Sequence, residues 1–522
     1  MPTCSTCSQQ FEIIQKELDF YARLTIPLPN DCPHCRLQQR LSFRNERTLY
    51  KRTCDLCGKG AISMFSPDKP FKQYCNECFY GDKWDAATYG QEFDFTRPFF
   101  NQLKELQLNV PRLVSNNMKC ENCDFVNMCS DDKNCYLTFA AENSEDCYYC
   151  KLCQKNKNCI DCDFVWDSEL CYGCVNIEKC YECFQSVQLK NCTNCHYCFE
   201  LQGCKNCLFC HNLVRKEYCI LNKQCSKEEF EEKLRQIENG PAYFCGMLKN
   251  EAIHRANNLL NCEDSTGDNL SGCRDMYQCF DMQNSEHCGY CAEGDAKYCW
   301  DCTNIYLNPE LCCQNMSTLQ TYNVKYGTFI YYSSDLTYCD SCWYSKNLFG
   351  CIGLQHKEYC ILNRQYTKEE YEKLIPQIID HMKRAGEWGK FFPKDFSPFC
   401  YNETIAMEYF PLSKDEITKL GYLWKEPDRK NYLPPSGDIL ACESCGKNYK
   451  IQASEEKFYQ KYNLETPTLC PDCRHMLRFQ FKNPKATFPN ACSKCGKAVQ
   501  TSYQSKQVKN LYCESCYNEA VY

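Results

Sequence analysis

Eight cysteines near the start of this 522-residue chain recur near its end with every spacing preserved. They form four CxxC pairs in each copy, and every residue number of the second copy exceeds that of the first by 438. The first set is Cys4, Cys7, Cys32, Cys35, Cys54, Cys57, Cys75 and Cys78, and the second is Cys442, Cys445, Cys470, Cys473, Cys492, Cys495, Cys513 and Cys516. Two thiolates three residues apart fit one edge of a tetrahedron, and a second pair closes it. The spacing therefore predicts about four zinc ions, divided between two terminal modules.

Two pairings of the CxxC pairs satisfy this pattern. Sequential pairing places one ion on the first two pairs of a module and another on the last two, whereas a cross-braced arrangement exchanges partners. The sequence leaves both open. The knuckle Cys57-Gly58-Lys59 and its copies, followed by a hairpin-length stretch and YCxxC, are typical of a treble clef or zinc ribbon. His34 and His475 complete no tetrahedron and are interpreted as exposed turn residues.

The chain holds 52 cysteines, a content that bears on the redox compartment of the protein. In a short secreted protein such a content would indicate a disulfide scaffold. Here the N-terminal sequence lacks the pattern of a signal peptide, and no apolar run reaches the ~18 residues of a membrane helix. We therefore expect a soluble, cytoplasmic protein without a membrane partner, whose cysteines are thiolate ligands or buried thiols. The disulfide alternative is best supported by the adjacent Cys312 and Cys313.

The net charge of −7 is unevenly distributed. Residues 1–80 carry 11 basic against 8 acidic side chains, and residues 439–522 carry 12 against 7, so the centre is strongly acidic. Four basic positions recur at the same offset as the cysteines: Arg36, Arg40, Arg44 and Arg47 in the first module, and Arg474, Arg478, Lys482 and Lys485 in the second. On a helix they would share one face and form a nucleic-acid-binding stripe. The alternatives are a solvated face or side chains packed against the acidic centre.

The central region is itself duplicated. KEYCILNKQCSKEEFEEKLRQI (216–237) returns as KEYCILNRQYTKEEYEKLIPQI (357–378), although Cys159 and Cys162 match Cys299 and Cys302 only after a one-residue slip. Five segments follow: a zinc module at 1–82, a cysteine-rich repeat at 115–258, a second at 259–400, a connector at 401–438, and a zinc module at 439–522. Capping boxes at Ser226, Thr367 and Ser413 predict three helices, of which the first two close the repeats.

A shorter period runs through the first repeat. Cys129, Cys150, Cys171 and Cys192 are each 21 residues apart, and aromatic residues adjoin many cysteines. Such a period predicts a mainly β fold: a duplicated parallel β-solenoid with coils of about 21 residues and helical caps. Stacked coils would bring together two further zinc sets, Cys150, Cys153, Cys171 and Cys174, and Cys159, Cys162, Cys180 and Cys183. The alternative is that these thiols pack as small hydrophobes, as Leu348 at the position of Cys207 suggests.

The arrangement of module, solenoid and module resembles the uncharacterised cysteine-rich, zinc-ribbon-containing proteins of candidate-phylum bacteria. The eight-cysteine frame, KEYCILNxQxxKEExE, and GEWGKFFPKDFSPFCYNETIAMEYFPL (386–412) carry the resemblance. It implies metal binding and no particular activity.

These features favour a non-enzymatic zinc-binding scaffold that presents its terminal modules to a partner, either protein or nucleic acid. A zinc storage or buffering protein is the first alternative, although ordered repeats and capped helices disfavour it. An iron–sulfur electron carrier is the second, because CxxCxxC occurs at Cys147, Cys150 and Cys153, but no central cysteine precedes the usual proline. No P-loop, GxSxG, HExxH or dinucleotide fingerprint is present, so we predict no enzyme activity.

Overall fold

The computed structural model describes residues 1–427, Tyr432 and 434–522. The chain divides into two compact units, each combining a terminal segment with one central repeat. Unit 1 comprises 1–115, 257–425 and 485–487, and unit 2 comprises 116–256, 426–484 and 488–522. The five predicted segments stay a prediction, and residues 428–431 and 433 of the predicted connector lie outside the described residues.

The N-terminal segment of unit 1 is mixed. Its helices are α1 (Gln15–Arg23), α2 (Pro33–Leu41), α3 (Asn76–Phe79) and α4 (Phe99–Asn109), with a 3₁₀ turn at Ala86–Tyr89. Its short strands are Tyr50–Thr53, Gly60–Ser63, Gln73–Tyr74 and Arg112–Leu113. The first two strands form an antiparallel hairpin, and the last two pair in parallel.

The central repeat of unit 2 is built from short parallel strands. They are Asn117–Met118, Cys129–Ser130, Phe139–Glu142, Lys151–Gln154, Asp163–Trp166, Val175–Glu178, Val187–Lys190, Thr193–His196, Phe199–Gln202, Lys205–Leu208 and Glu217–Ile220. The antiparallel Lys223–Gln224 ends the array, and α5 (Lys227–Arg235), α6 (Gly240–Asn250) and Ile253–Arg255 follow. The capping box that begins α5 at Ser226 forms as predicted.

The central repeat of unit 1 follows the same plan. Its strands are Leu259–Leu260, Gly267–Ser271, Cys279–Gln283, Ala292–Gly294, Trp300–Tyr306, Cys313–Leu319, Tyr322–Lys325, Thr328–Tyr331, Ser334–Thr337, Lys346–Phe349, Glu358–Ile361 and Arg364–Gln365. Helix α7 (Lys368–Arg384) begins at a capping box on Thr367, and α9 (Lys414–Lys419) begins at one on Ser413, both as predicted. Two 3₁₀ turns (Lys394–Phe396, Tyr401–Glu403), α8 (Ile405–Tyr409) and α9 (Lys414–Lys419) complete the segment.

The C-terminal segment repeats the plan of hairpins and helices. Its strands are Ile439–Ala441, Asn448–Lys450, Phe488–Ala491, Ala498–Thr501 and Asn510–Tyr512, and its helices are α10 (Ala453–Lys461), α11 (Pro471–Phe479) and α12 (Glu514–Val521). The strand Asn510–Tyr512 pairs in parallel with Ile253–Arg255, within unit 2. Within the described residues, no helix combines the length and apolar character needed to cross a bilayer.

The predicted β-solenoid is confirmed, but its coils are shorter than the cysteine spacing indicates. Residues that are 12 apart, such as Asp132 and Ser144, lie side by side in successive coils. Val175 likewise pairs with Asp163 on one side and with Val187 on the other, and this step recurs throughout the first repeat. In the second repeat Gly289 pairs with Trp300 and Trp300 with Cys313, so one coil is a residue shorter and the next a residue longer. This pair of compensating coils explains the one-residue slip between the two repeats.

A coil of regular length has four sides of three residues. A left-handed backbone conformation occurs at every third residue, as at Asp146, Tyr149, Leu152, Lys155 and Asn158. Such a conformation costs free energy for a non-glycine residue. Backbone hydrogen bonds between coils offset that cost: Tyr149 N donates to the Tyr136 carbonyl, and Tyr148 N donates to the Cys159 carbonyl. The residue after each left-handed position points inward, and in the first repeat it is very often cysteine.

Candidate metal centres

The first CxxC pair of each cysteine group lies in a tight turn between two antiparallel segments. Cys54 and Cys57 sit between the strands Tyr50–Thr53 and Gly60–Ser63. The other three knuckles are flanked in the same way, by the Thr3–Gln10 bridge, by Ile439–Ala441 with Asn448–Lys450, and by Phe488–Ala491 with Ala498–Thr501. One local geometry is thus built four times.

The residue after the second knuckle cysteine has a positive φ in all four copies. It is glycine in three of them, Gly58, Gly446 and Gly496, with φ of 74 to 76°. The fourth is Ser8, with φ of 61°. Its amide, like the three glycine amides, donates to the carbonyl of the first cysteine of the knuckle. Because a side chain strains this conformation, the Ser8 knuckle is the least relaxed of the four.

The second CxxC pair of each group begins a helix. Cys32, Cys75, Cys470 and Cys513 are the N-cap residues of α2, α3, α11 and α12. The cysteine three positions later lies in the first turn of the same helix. Amide groups and the helix dipole at this end favour the thiolate over the thiol.

Knuckle and helix together bring four sulfurs into a compact group. The groups are Cys4, Cys7, Cys32 and Cys35; Cys54, Cys57, Cys75 and Cys78; Cys442, Cys445, Cys470 and Cys473; and Cys492, Cys495, Cys513 and Cys516. Within each group the sulfurs lie within 4.8 Å of one another. The Cys7–Cys32, Cys57–Cys75 and Cys495–Cys513 sulfurs are 3.8 Å apart, and the Cys445–Cys470 sulfurs 3.7 Å. A tetrahedral ion with metal–sulfur bonds of ~2.3 Å requires ~3.8 Å, so the residues fit such an ion.

These groups correspond to sequential pairing of the CxxC pairs, and the cross-braced alternative is not formed. Backbone amides reinforce the ligands: Cys32 N donates to Cys4 Sγ and Cys75 N to Cys54 Sγ, each at 3.3 Å. Burial alone would raise the pKa of Cys54, but the amides of Cys75, Cys57 and Leu56 outweigh it and lower that pKa to about 6. Equivalent amides lower the pKa of Cys442 to about 6. Burial raises the pKa of their partners Cys75 and Cys470, so within these groups the amides favour the thiolate at the first knuckle cysteine.

The two further sets predicted in the solenoid are not assembled. Cys150, Cys153, Cys171 and Cys174 form no such group in the described part of the chain, nor do Cys159, Cys162, Cys180 and Cys183. The reason is the coil length, because the first solenoid repeats at a step of 12 and residues at the predicted period do not stack. Cys150 is instead followed one coil later by Cys162. Its thiol is buried and donates to the carbonyls of Tyr148 and Cys159, at 3.3 and 3.4 Å.

The basic stripe of unit 1 faces the interior. Arg36 pairs with Glu17 at 2.9 Å and with Asp301 at 3.0 Å, and Arg40 pairs with the same Asp301 oxygen at 3.0 Å. All four side chains are at most 3% exposed. Because Asp301 belongs to the solenoid and the arginines to α2, this buried cluster fixes the terminal segment on the repeat.

Unit 2 contains the same cluster. Arg474 pairs with Asp161 at 3.0 Å and with Glu455 at 3.3 Å, while Arg478 pairs with Asp161 at 2.7 Å and with Asp163 at 3.0 Å. His475, predicted to be an exposed turn residue, is 2% exposed and lies 3.1 Å from Asp163. Two copies of one docking arrangement therefore exist, one in each unit.

The nucleic-acid prediction is corrected for six of the eight basic residues. Arg36, Arg40, Arg44, Arg474, Arg478 and Lys485 are buried. Arg44 pairs with Glu46, and Lys485, which belongs to unit 1, pairs with Asp281 and Glu293. The other two are only partly exposed: Arg47 is half-buried, and Lys482 lies over the Phe164 ring. The helices end at Leu41 and Phe479, so the four positions do not share one helical face. Packing against the acidic centre, the alternative stated above, describes these residues.

The acidic partners of the stripe escaped the sequence analysis. Glu17 and Glu455 are related by the offset that relates the two terminal modules, and Asp161 and Asp301 are equivalent once the one-residue slip is applied. Recurrence of acidic residues at both offsets was therefore a usable signal. The sequence did not show that each duplicated terminal module packs on one of the duplicated central repeats.

Comparisons with known proteins add little. No family model matches the chain, and no curated protein matches it. Among solved structures, a Desulfovibrio desulfuricans G20 protein solved as a proposed acetyltransferase matches at 9% identity, over 49% of this chain and 71% of its own length. The TM-score of 0.11 is too low to indicate a shared fold, so this likeness carries no argument about function.

Proposed function

We propose that the protein is a non-enzymatic scaffold stabilised by four zinc ions, one in each four-cysteine group. The carrying observation is the sulfur geometry, since 3.7–3.8 Å separations match a tetrahedral zinc edge. A knuckle that contributes two ligands and a helix N-terminus that contributes two are typical of treble-clef modules. We assign all four centres to that class. Each closed set of four thiolates leaves no open position for a substrate, as expected of structural rather than catalytic zinc.

The docked modules present their knuckles outward. Arg36 and Arg40 of α2 are buried against the solenoid, whereas Cys7 and Cys57 are exposed. Cys495 of the C-terminal segment is exposed as well. Through these exposed cysteines three of the four zinc knuckles are accessible to a partner, and the solenoids are the supports that hold the modules. The resemblance to candidate-phylum zinc-ribbon proteins and a reducing cytoplasmic setting belong to the same proposal.

Zinc buffering is the weaker candidate. A buffer must release its ions readily, yet two of the ligand helices, α2 and α11, also carry the buried arginines that fix the module. Losing an ion there would thus disturb a buried ion-pair cluster as well as the metal site. This coupling favours permanently held, structural zinc.

The metal content tests the proposal. The full chain is purified anaerobically under reducing conditions, its zinc and iron are counted, and its visible spectrum is recorded. We expect about four zinc ions per chain and no absorption band near ~400 nm. Iron with such a band would overturn the zinc assignment in favour of electron transfer, and fewer than two ions of any metal would overturn the metal-centre proposal.

Substitutions locate the ions. C57S and C495S should each lose one zinc, because each removes a ligand from a different group. C245S is the matched control, since Cys245 is also exposed but lies outside the four groups. Equal zinc loss in the control would contradict the assignment.

A further inference from the structure

The two solenoids end in the same seven residues, but only one of these ends is covered. The sequence KEYCILN occupies 216–222 in the first repeat and 357–363 in the second. An antiparallel strand follows each copy in the same register, so the backbone turns alike. Leu362 is fully buried, whereas its counterpart Leu221 is 47% exposed. Identical residues in the same turn are therefore enclosed in unit 1 and open to solvent in unit 2.

The cover in unit 1 is the segment 85–92, which precedes α4. Its two ends pair with the solenoid through charge, Asp85 with Lys357 at 2.8 Å and Glu92 with Arg364. The two acidic residues are seven positions apart, and so are the two basic residues with which they pair. The segment and the solenoid chain therefore run in the same direction across this contact.

Between its charged ends the segment contacts the backbone of the last coil. Gln91 N donates to the Leu362 carbonyl at 3.1 Å, and Asn363 Nδ2 donates to the Ala86 carbonyl at 3.0 Å. Gly90 lies so close to the coil that an added Cβ would stand 2.7 Å from the Asn363 carbonyl oxygen. Main-chain hydrogen bonds give a peptide site its affinity, and such close approach restricts the residues that fit. The contact thus favours an acidic residue at each end and a glycine near the second.

Unit 2 offers the same groups without the segment. The side chains exposed at its coil end are Lys216, Leu221, Asn222 and Lys223. Within the described residues neither lysine forms an ion pair. Asn222 accepts from His211 N and donates to the His211 carbonyl, as Asn363 does with Ile352. Its second amide hydrogen is therefore left for the carbonyl that Ala86 supplies in unit 1.

The helix that follows the segment in unit 1 has an aromatic replacement in unit 2. Phe99 of α4 packs on Tyr338, with ring centroids 5.3 Å apart. In unit 2 the Phe209 ring stacks on Tyr197 at 5.1 Å, and Tyr243 of α6 packs on Phe209 at 4.8 Å. Both units thus have an aromatic cover here, and only the acidic segment lacks a counterpart among the described residues of unit 2.

We propose that this coil end of the first solenoid, formed by Lys216, Leu221, Asn222 and Lys223, docks a segment of a partner protein that has the chemistry of residues 85–92. The ligand has an acidic residue at each end, seven positions apart, with small residues after the first and a glycine two positions before the second. Charge complementarity selects it, and the docked segment of unit 1 supplies the geometry. The coil end lies outside the four-cysteine groups, so the proposal does not depend on the metal that they hold.

The test measures the binding of a fluorescein-labelled peptide, KWDAATYGQEF (83–93), to the full chain by fluorescence anisotropy. We expect one peptide to bind per chain. The variant K216E/K223E should bind roughly tenfold more weakly, because two ion pairs become repulsive contacts. L221S should also weaken binding, since it removes the exposed apolar contact, and the peptide carrying G90V should not bind because its side chain would meet the coil backbone.

K119E/K155E is the matched control, because it makes the same charge change at two exposed lysines of the same solenoid away from its end. This control should bind the peptide as the wild type does. The proposal is overturned if no peptide binds at concentrations up to about 1 mM, if K216E/K223E binds as tightly as the wild type, or if the control loses as much. If K216E/K223E instead converts a dimer of the full chain into a monomer, the occupant is a second copy and the assignment to a partner protein is wrong.

Discussion

The substitution D301N tests whether the buried ion pairs fix the N-terminal segment on its solenoid. Asp301 is fully buried and accepts from both Arg36 and Arg40 at 3.0 Å. At an effective dielectric constant of ~20, each contact is worth ~5 kcal/mol before desolvation is subtracted. Arg36 keeps Glu17 in the variant, but Arg40 loses its only carboxylate among the ion pairs of the described residues.

Removing one partner of a buried pair typically costs ~3–5 kcal/mol, because the other charge is left uncompensated. We expect D301N to lower the free energy of unfolding of unit 1 by about that amount. The double variant R40M/D301N should recover at least half of the loss, since it removes the stranded charge. D161N, the equivalent change in unit 2, should cost less because Arg478 still pairs with Asp163.

Urea unfolding of the full chain, followed by circular dichroism and tryptophan fluorescence, measures these effects. Trp300 adjoins Asp301 and stacks on Phe20 of α1 at 5.5 Å, so its emission reports on the docked segment. E77Q, which removes the exposed pair between Glu77 and Lys59, is the control and should leave the transition unchanged. If D301N unfolds at the same urea concentration as the wild type, or if R40M/D301N is no more stable than D301N, the docking argument is wrong.

Three further predictions follow from local geometry. S8G should stabilise the first knuckle by about 1 kcal/mol, since the other three knuckles have glycine at this left-handed position; a higher urea midpoint for metal release would verify it, and an unchanged midpoint would contradict it. Burial raises the pKa of Asp132 to about 7, so the stability contributed by its protonated carboxyl is complete below the unfolded pKa of ~4 and is lost as the pH rises through 7. The variant D132N, which imitates Asn156 two coils ahead, should flatten this part of the pH–stability curve and raise the free energy of unfolding at pH 8 by roughly 2 kcal/mol. D163T should destabilise unit 2 by roughly 2–3 kcal/mol, and D163T/H475L should recover part of the loss, because unit 1 has Thr303 and Leu37 at these positions; additive losses in a double-mutant cycle would contradict the pairing.

The solenoid could be predicted from the sequence, but the 21-residue spacing of the cysteines gave the wrong coil length. Both 21 and 12 are multiples of the three-residue side, so recurrences such as Cys150 and Cys171 are seven sides apart rather than one coil apart. How many sides close a coil depends on hydrogen bonds between coils, such as that from Tyr149 N to the Tyr136 carbonyl. The unbroken cysteine series at a step of 12, from Cys123 to Cys219, was present in the sequence and would have given the correct period.

The sequence by itself determined the sixteen cysteines of the four groups and the starts of the capped helices, because both depend on residues close together in the chain or on one preserved spacing. Only the structure chose sequential over cross-braced pairing. A knuckle such as Cys54–Cys57 and a helix beginning at Cys75 form by local geometry, and their offset recurs intact. Only the tertiary structure decided the role of the basic stripe. Arg40 and Asp301 are 261 residues apart, and Arg478 and Asp161 are 317 apart. A charged residue has the same sequence signature whether it faces water or a buried carboxylate, and only the docking of one duplicated segment on the other distinguishes the two.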